Sequence, residues 1–157
     1  MKTDVRLRDV VASDLALFFA HQSDPVGAAM AAFTSRDQAA FAEHWAKLLR
    51  DDTCLKQTVL LDGEVAGNIG SWNSHGQREV GYWIDRRFWG RGVATAAVCA
   101  FLQLEQIRPL YAGVAKHNLA SLRVLQKCGF TSLPCADKES RDADDSHVLL
   151  VLGAAAA

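Results

Sequence analysis

Three strand-like runs stand in series in the middle of the chain, and the third feeds with no linker into a glycine-bearing turn and a helix. Residues 57–61 and 64–72 flank Asp62-Gly63. Asp-Gly between two such runs is a strong hairpin signal, because a type I′ turn needs positive φ at both central positions. Asn73-Ser74-His75-Gly76 then leads into the run 78–84. Three consecutive antiparallel strands are therefore expected at the centre of the fold. That meander speaks against a doubly wound arrangement.

The flanking segments read as further helices and strands. Residues 5–11 alternate as a strand does. Ser13 is placed to cap a short helix with Leu15, Phe18 and Phe19 on its inner face, and Asp24-Pro25 breaks it. Residues 24–33, Ala-rich from 27 to 32, read as a mobile loop. Ser35-Arg36-Asp37-Gln38 reads as a capping box. The helix behind it carries Phe41, Trp45, Leu48 and Leu49 as an apolar stripe. Downstream, 91–105 is helical on Val93, Ala97, Phe101 and Leu104, and 109–114 is a strand. Asn118 caps a helix bearing Leu122 and Leu125, which Gly129 stops. Residues 130–133 and 148–152 close the chain as strands. The polar stretch 137–146 reads as a surface loop and 153–157 as a frayed end. The order β-α-α-β-β-β-α-β-α-β-β describes one mixed α/β domain over residues 1–157.

With 157 residues, half of them hydrophobic and 22% charged, the chain can bury one real core. Seventeen basic residues against 18 acidic ones leave a net charge of -1. No basic stripe stands out, so nucleic acid is not an expected partner. The start, MKTDVRLRDV, has no apolar core of a signal peptide. The longest nearly uncharged stretch, 93–104, is too short to span a bilayer. The expectation is a cytoplasmic protein with no membrane partner. Cys54, Cys99, Cys128 and Cys135 form no C-x-x-C pair, and no His stands at zinc-ligand spacing from them. No metal is expected, and the thiols read as buried and reduced.

The chemistry concentrates in the turn Trp83-Ile84-Asp85-Arg86-Arg87-Phe88-Trp89-Gly90-Arg91-Gly92-Val93-Ala94-Thr95. Gly90 and Gly92 remove side chains where backbone must approach a ligand closely. The first N–H groups of the following helix have no intrahelical partner, and they point out of its start with the positive end of the dipole. A pyrophosphate satisfies both, and Arg87 and Arg91 add charge beside it. A P-loop needs Gly-Lys-Ser/Thr, and the Lys is missing. A dinucleotide fingerprint needs a third Gly where Thr95 stands, and a βαβ start in place of a meander. The pattern Arg/Gln-x-x-Gly-x-Gly/Ala is met in full by Arg87-Phe88-Trp89-Gly90-Arg91-Gly92.

Gly81-Tyr82-Trp83-Ile84 precedes this turn, and Asn118-Leu119-Ala120-Ser121-Leu122-Arg123-Val124-Leu125-Gln126-Lys127-Cys128-Gly129-Phe130 follows it. On these three blocks and their spacing the chain resembles the GNAT superfamily of acyl-CoA N-acyltransferases. Within it the nearest likeness is the branch of ribosomal-protein N-terminal acetyltransferases (RimJ/RimL-like). The element order extends the resemblance over nearly the whole chain. It implies a GNAT-like α/β fold: a mixed, mostly antiparallel central sheet, splayed between the strands at 81–84 and 111–114 and flanked by helices. The pantetheine arm of acetyl-CoA, the implied cosubstrate, would run in that splay and bond to backbone near Trp83 and Ile84. Amides of Phe88, Trp89, Gly90, Arg91, Gly92, Val93 and Ala94 would cradle the pyrophosphate at the turn that Thr95 completes. Asn118 would hold the pantetheine from the other side, a pure helix cap being the alternative. The implied reaction moves acetyl to a primary amine, on a protein N-terminus or a small molecule, by direct attack in a ternary complex.

Such a reaction needs a base for the amine, donors for the developing oxyanion and, usefully, a proton for the departing thiolate. A strand N–H near Ile84 could serve the oxyanion. Glu79 is the best base candidate. On a regular strand it faces the same way as Gly81 and Trp83, and a bulge near Gly81 would break that parity. A solvated strand carboxylate is the alternative. His75 is a second base candidate, a solvated turn residue being the alternative, and with Phe33, Trp72 and Trp83 it would line the acceptor side. Many members of the family place a Tyr four residues before the Gly-Phe pair as the acid, where this chain has Leu125. Ser121, on the first turn of the same helix, is the substitute. The departure at Leu125 keeps a second reading open, a CoA-binding or sensor module without turnover. The oligomer expected is a monomer or homodimer.

Overall fold

The computed structural model describes residues 4–133 and 147–153. The stretch 137–146, Cys135 and the tail from 154 onward lie outside the described residues. The elements are β1 (Val5–Asp9), α1 (Asp14–Gln22), α2 (Pro25–Met30), α3 (Gln38–Arg50), β2 (Leu55–Leu61), β3 (Glu64–Ser74), β4 (Gln77–Ile84), α4 (Val93–Phe101), β5 (Leu110–Ala115), α5 (Leu119–Lys127), β6 (Thr131–Ser132) and β7 (His147–Leu152). A short 3₁₀ turn, Arg86–Phe88, joins β4 to α4.

Among the described residues, seven strands form one sheet in the order β1-β2-β3-β4-β5-β7-β6. Every pairing among them is antiparallel except β4 with β5. The meander arises as expected. Asp62 and Gly63 sit at φ of 51° and 86°, and His75 and Gly76 at 51° and 75°, so both hairpins close on two left-handed residues. The parallel pair β4–β5 is the exception that shapes the molecule. It is made only at Arg78 with Leu110 and Glu79 with Tyr111, and beyond Glu79 the two strands part. The apex of this V is locked by Arg78. Its buried guanidinium donates to Glu105, to the Thr53 carbonyl at 2.7 Å and to Ser71 Oγ at 3.2 Å.

Helices cover both faces. On one, α4 buries Val93, Ala97, Val98 and Phe101 against Val59, Ile69, Val80 and Ile84. On the other, Phe18 of α1 meets Phe41 and Trp45 of α3. Leu49, expected on that stripe, is 38% exposed, because Phe41 and Trp45 already span the contact. The helix expected over 91–105 is shorter, Val93–Phe101, and gives way to a turn that presents Glu105 to Arg78. Among the described residues no helix is long and apolar enough to cross a membrane.

Two caps differ from expectation. Asp37, not Ser35, caps α3 by accepting from Ala40 N at 2.8 Å. Ser35 is spent on the Gln22 carbonyl, which its Oγ reaches at 2.7 Å. Most of the segment 24–33 is helical and not loop, because Asp24 accepts from Val26 N and Gly27 N and starts α2 with Pro25 in its first turn, while residues 31–33 stay outside the helix, with Phe33 in the loop as expected. Pro ends one helix and opens the next, since a missing N–H costs nothing at a helix start.

Ser13 stands at the N-cap of α1 as expected but makes no side-chain cap bond, and Asp14 beside it carries the polar contacts at this helix start. Its carboxylate is buried and accepts a two-pronged bond from Arg8 (2.7 and 2.9 Å), one from Val11 N (3.0 Å) and one from Thr58 Oγ (2.7 Å). The Arg8 bond, more than any other contact, holds the Asp14 carboxyl down at about 2. That depression from an ordinary carboxylate corresponds to about 2 kcal/mol. Asp14→Asn should therefore lower Tm by about 4–8 °C at neutral pH. A depressed carboxyl stabilises above its unfolded pKa, near pH 4, and loses that contribution as the pH falls through its folded value. The gap between variant and parent in urea unfolding should accordingly narrow as the pH drops from about 4 toward 2.

Candidate functional site

β4 ends at Ile84, and the turn beyond it is held by bonds that the local sequence supplies. The Asp85 N–H pairs with the Ala66 carbonyl at 2.8 Å and so extends the sheet by one rung. The Asp85 carboxylate caps the 3₁₀ turn, accepting from Arg87 N at 3.2 Å and Arg87 Nε at 2.8 Å. His21 Nε2 stands 3.5 Å from the same carboxylate. Burial pushes the Asp85 carboxyl up, but the Arg87 bonds and the charges of His21 and Arg87 together hold it below its usual value. The Trp89 indole donates to the Ile84 carbonyl at 2.9 Å and staples the turn to the strand.

Gly90 and Gly92 both sit at φ 76°, and Gly92 is the N-cap of α4. A Cβ at either position would meet nothing within 4 Å. Packing therefore does not demand glycine here. The left-handed backbone does, and the space before it is open. The first bond of α4 runs from Ala96 N to the Gly92 carbonyl, so the N–H groups of Val93, Ala94 and Thr95 precede the helical ladder.

A cavity of about 420 Å³ lies in front of these groups, between the end of β4 and α5. Tyr82, Trp83 and Ile84 form one wall, and Phe88, Trp89, Gly90, Gly92, Val93, Ala94 and Thr95 line it at the turn. Asn118 and Ser121 of the α5 start face them, and Gly27, Met30 and Ala31 cover the opening from α2. α2 is fastened there by Asp24 with Arg86 at 3.1 Å and by His117 Nε2 against the Ala29 carbonyl at 2.8 Å. Asn118 caps α5, its Oδ1 accepting from Ser121 N at 3.1 Å, so the cap and the place beside the cavity coexist.

Arg87 and Arg91 do not line the cavity. Their guanidinium carbons lie 5.0 and 5.8 Å from the centre of the Phe88 ring, and Arg87 is spent on Asp85 and Glu64. Among the described residues the cations that line it are Arg123 and Lys127 of α5. Their spacing from Ala120 (i, i+3, i+7) is a helical face, a signal that was present in the sequence. Also missed was Tyr82, whose hydroxyl lies 2.5 Å from Ser121 Oγ. Burial pushes its phenol up, more than the Ser121 bond pulls it down. Tyr82 shares the α4–α5 side of β4 with Val80 and Ile84, while Leu125 is buried in the core there.

The acceptor candidates lie on the other face of β4. The β3–β4 register runs unbroken from Gly67 opposite Ile84 to Ser74 opposite Gln77. Glu79, Gly81 and Trp83 thus face one way, and the bulge that would have broken their parity is absent. Glu79 is buried, so a solvated strand carboxylate is not what it is. Trp72 stands opposite Glu79 with its ring over Gly81, where a Cβ would lie 2.8 Å from the ring edge. Phe33 meets Trp83 edge to face at 5.3 Å between centroids. His75 is exposed at the hairpin tip and joins neither group.

A model of the acetyltransferase (GNAT) domain family matches residues 4–131. Among solved structures the fold is similar to spermidine N-acetyltransferase from Vibrio cholerae in complex with CoA and spermine, at TM-score 0.75 and 16% identity over 94% of this chain and 92% of that one. It is similar to an acetyltransferase from Agrobacterium tumefaciens at TM-score 0.77 and 19% identity, over 96% and 92%. Aminoglycoside acetyltransferase AAC(6')-Ib in complex with coenzyme A gives TM-score 0.76 and 18% identity, over 96% and 95%. No curated protein matches by sequence.

Proposed function

The chain belongs to the acetyltransferase (GNAT) domain family, and we propose that it moves acetyl from acetyl-CoA to a primary amine by direct attack in a ternary complex. The observation that carries this reading is the coincidence of two openings. The end of β4, past the point where it leaves β5, and the uncovered N–H groups after Gly92 line a single cavity. The residues fit the cosubstrate. Gly90 and Gly92 put no side chain in the way, Val93, Ala94 and Thr95 offer backbone donors, and Arg123 and Lys127 supply positive charge beside them. Trp83 and Ile84 present the β4 edge to the pantetheine.

Glu79 takes the proton of the attacking amine, from the face that Trp72, Trp83 and Phe33 line. Those aromatic surfaces suit an amine with an apolar neighbour, such as the first residue of a peptide, as the RimJ/RimL-like likeness implies. Spermine, bound in the Vibrio cholerae relative, marks small polyamines as the competing class. Ser121 presents its O–H to the leaving sulfur. Its partner Tyr82 keeps its own proton at neutral pH, because burial raises the phenol. Either oxygen can donate across their contact, and the productive arrangement is the one in which Tyr82 donates to Ser121 Oγ. Tyr82 is thus a positioning residue that turns the Ser121 proton toward the cavity. This pair supplies the donor missing at Leu125 and favours turnover over a silent sensor.

The test is thermal unfolding with acetyl-CoA, NAD or ATP, followed by CoA thiol release with peptides, polyamines and aminoglycosides. At a hundredfold excess over its dissociation constant, acetyl-CoA adds about 2.7 kcal/mol and should raise Tm by about 5–10 °C. NAD and ATP should not. A shift with acetyl-CoA but no thiol release with any acceptor would favour the sensor. Ser121→Ala should lower kcat about a hundredfold. Tyr82→Phe should lower it about 2- to 13-fold, the worth of one hydrogen bond. The double variant should be no worse than Ser121→Ala, because one pathway is removed twice.

A further inference from the structure

Cysteines 99 and 128 were expected to be buried, and neither is fully so. Cys99 is exposed on the outward side of α4, since Val93, Ala97, Val98 and Phe101 take the inward stripe. Cys128 ends α5, half-buried, with its sulfur 3.8 Å from the carbonyl of Thr95 on the first turn of α4. The two sulfurs are 3.4 Å apart. We infer that Cys99 and Cys128 form a dithiol site that a peroxide closes into a disulfide clamping α4 to α5.

The geometry asks for little movement. A disulfide holds its sulfurs about 2.05 Å apart, so closure needs about 1.4 Å, shared by two side chains on separate helices. The chemistry divides between them by exposure. The Cys99 thiolate attacks one peroxide oxygen, an S–O bond forms as O–O breaks, and hydroxide leaves. The Cys128 sulfur then attacks the sulfenic sulfur of Cys99, S–S forms as S–O breaks, and the Cys128 proton departs with the oxygen as water. Two thiols and one hydrogen peroxide give one disulfide and two waters, the two electrons passing from sulfur to peroxide. Burial pushes the Cys128 thiol up to about 12, so it is a poor nucleophile toward peroxide in solution. Contact with Cys99 makes its step intramolecular and removes that handicap. Cys54 is buried, and its thiol is bonded to Asp51.

The bond would tie together two walls of the cavity. α4 carries Val93, Ala94 and Thr95, and α5 carries Ser121, Arg123 and Lys127. Because the sulfurs already touch, closure fixes that arrangement and does not dismantle it. The oxidised chain should be more stable, since the cross-link restricts the unfolded state. It should bind acetyl-CoA within threefold of the reduced chain. That last point rests on the acetyl-transfer reading, whereas bond formation does not.

The experiment uses the full chain carrying Cys135→Ser, treated with stoichiometric hydrogen peroxide and mapped without reduction. The expected result is one linked peptide pair joining Cys99 to Cys128, loss of two of the three remaining thiols, and a Tm rise of several degrees that dithiothreitol reverses. Cys99→Ser in that background should abolish the link and the Tm rise. Sulfinic acid at Cys99 with no link, a link to Cys54 or between chains, or a Tm unmoved by oxidation would each overturn the proposal. If the reduced chain fails to bind acetyl-CoA, the acetyl-transfer reading falls and the dithiol stands on its own map.

Discussion

Gly92→Asp is expected to weaken acetyl-CoA binding at least a hundredfold while leaving the fold in place. The residue sits at φ 76°, so any side chain pays a strain there, on the order of 1 kcal/mol for Asp, which tolerates the left-handed region better than most. Nothing lies within 4 Å of the new Cβ, so no clash adds to that cost. The carboxylate would instead enter the space before the Val93, Ala94 and Thr95 amides, where the pyrophosphate is proposed to sit. Two unit charges 4 Å apart near a protein surface repel by about 4 kcal/mol, which exceeds the 2.7 kcal/mol of a hundredfold loss. Gly92→Ala separates the two effects, because it carries the strain without the charge and should cost tenfold or less. Calorimetry of both variants against acetyl-CoA, with Tm of the free proteins, makes the comparison. Undiminished affinity in Gly92→Asp would remove the pyrophosphate from this turn.

Gly67→Ala is expected to cost about 3 kcal/mol or more, a Tm loss of about 6–12 °C, or to prevent folding outright. A Cβ on Gly67 would lie 2.0 Å from the Trp83 carbonyl oxygen and 3.0 Å from Ile84 Cα. Both are backbone atoms of β4, so no side chain can swing aside. β3 and β4 would have to separate at the rung that pairs Gly67 with Ile84, next to the Ala66–Asp85 bond that anchors the turn. Gly81→Ala is the contrast. Its Cβ would meet the far edge of the Trp72 ring at 2.8 Å, and a ring can rotate. That variant should cost about 1 kcal/mol and disturb the acceptor face more than the fold. Equal melting temperatures for the two alanine variants would contradict the close approach at Gly67.

The parts of the fold legible in the sequence were those fixed by neighbours along the chain. Asp62-Gly63 closes a hairpin because its φ values must be positive, and Gly129 stops α5 at φ 98° for the same reason. Gly90 and Gly92 mark a turn whose conformation and open space need no knowledge of the rest of the molecule. Asn118 announces its helix by bonding Ser121 N, three residues on. The family likeness carried the splay between β4 and β5, and the two rungs at Arg78 and Glu79 bear it out. Caps with two claimants were only partly legible: Ser13 holds its cap position without a cap bond, and Asp37 displaces Ser35. Ser13 against Asp14, and Ser35 against Asp37, are decided by what each side chain meets elsewhere, Arg8 and Thr58 in one case and the Gln22 carbonyl in the other.

The glycine turn, its orphan helix amides and the hairpins before it were determined by the sequence alone, because backbone dihedrals and the first turn of a helix depend on residues within four positions. Tertiary structure alone decided which charges and hydroxyls face the cavity. Arg87 was drawn to Asp85, leaving Arg123 and Lys127 to line it. Tyr82 met Ser121 across 39 residues of chain. Cys99 met Cys128 across 29. Such meetings depend on how α4 and α5 pack on the sheet, and that packing is a sum of many contacts that no single spacing records.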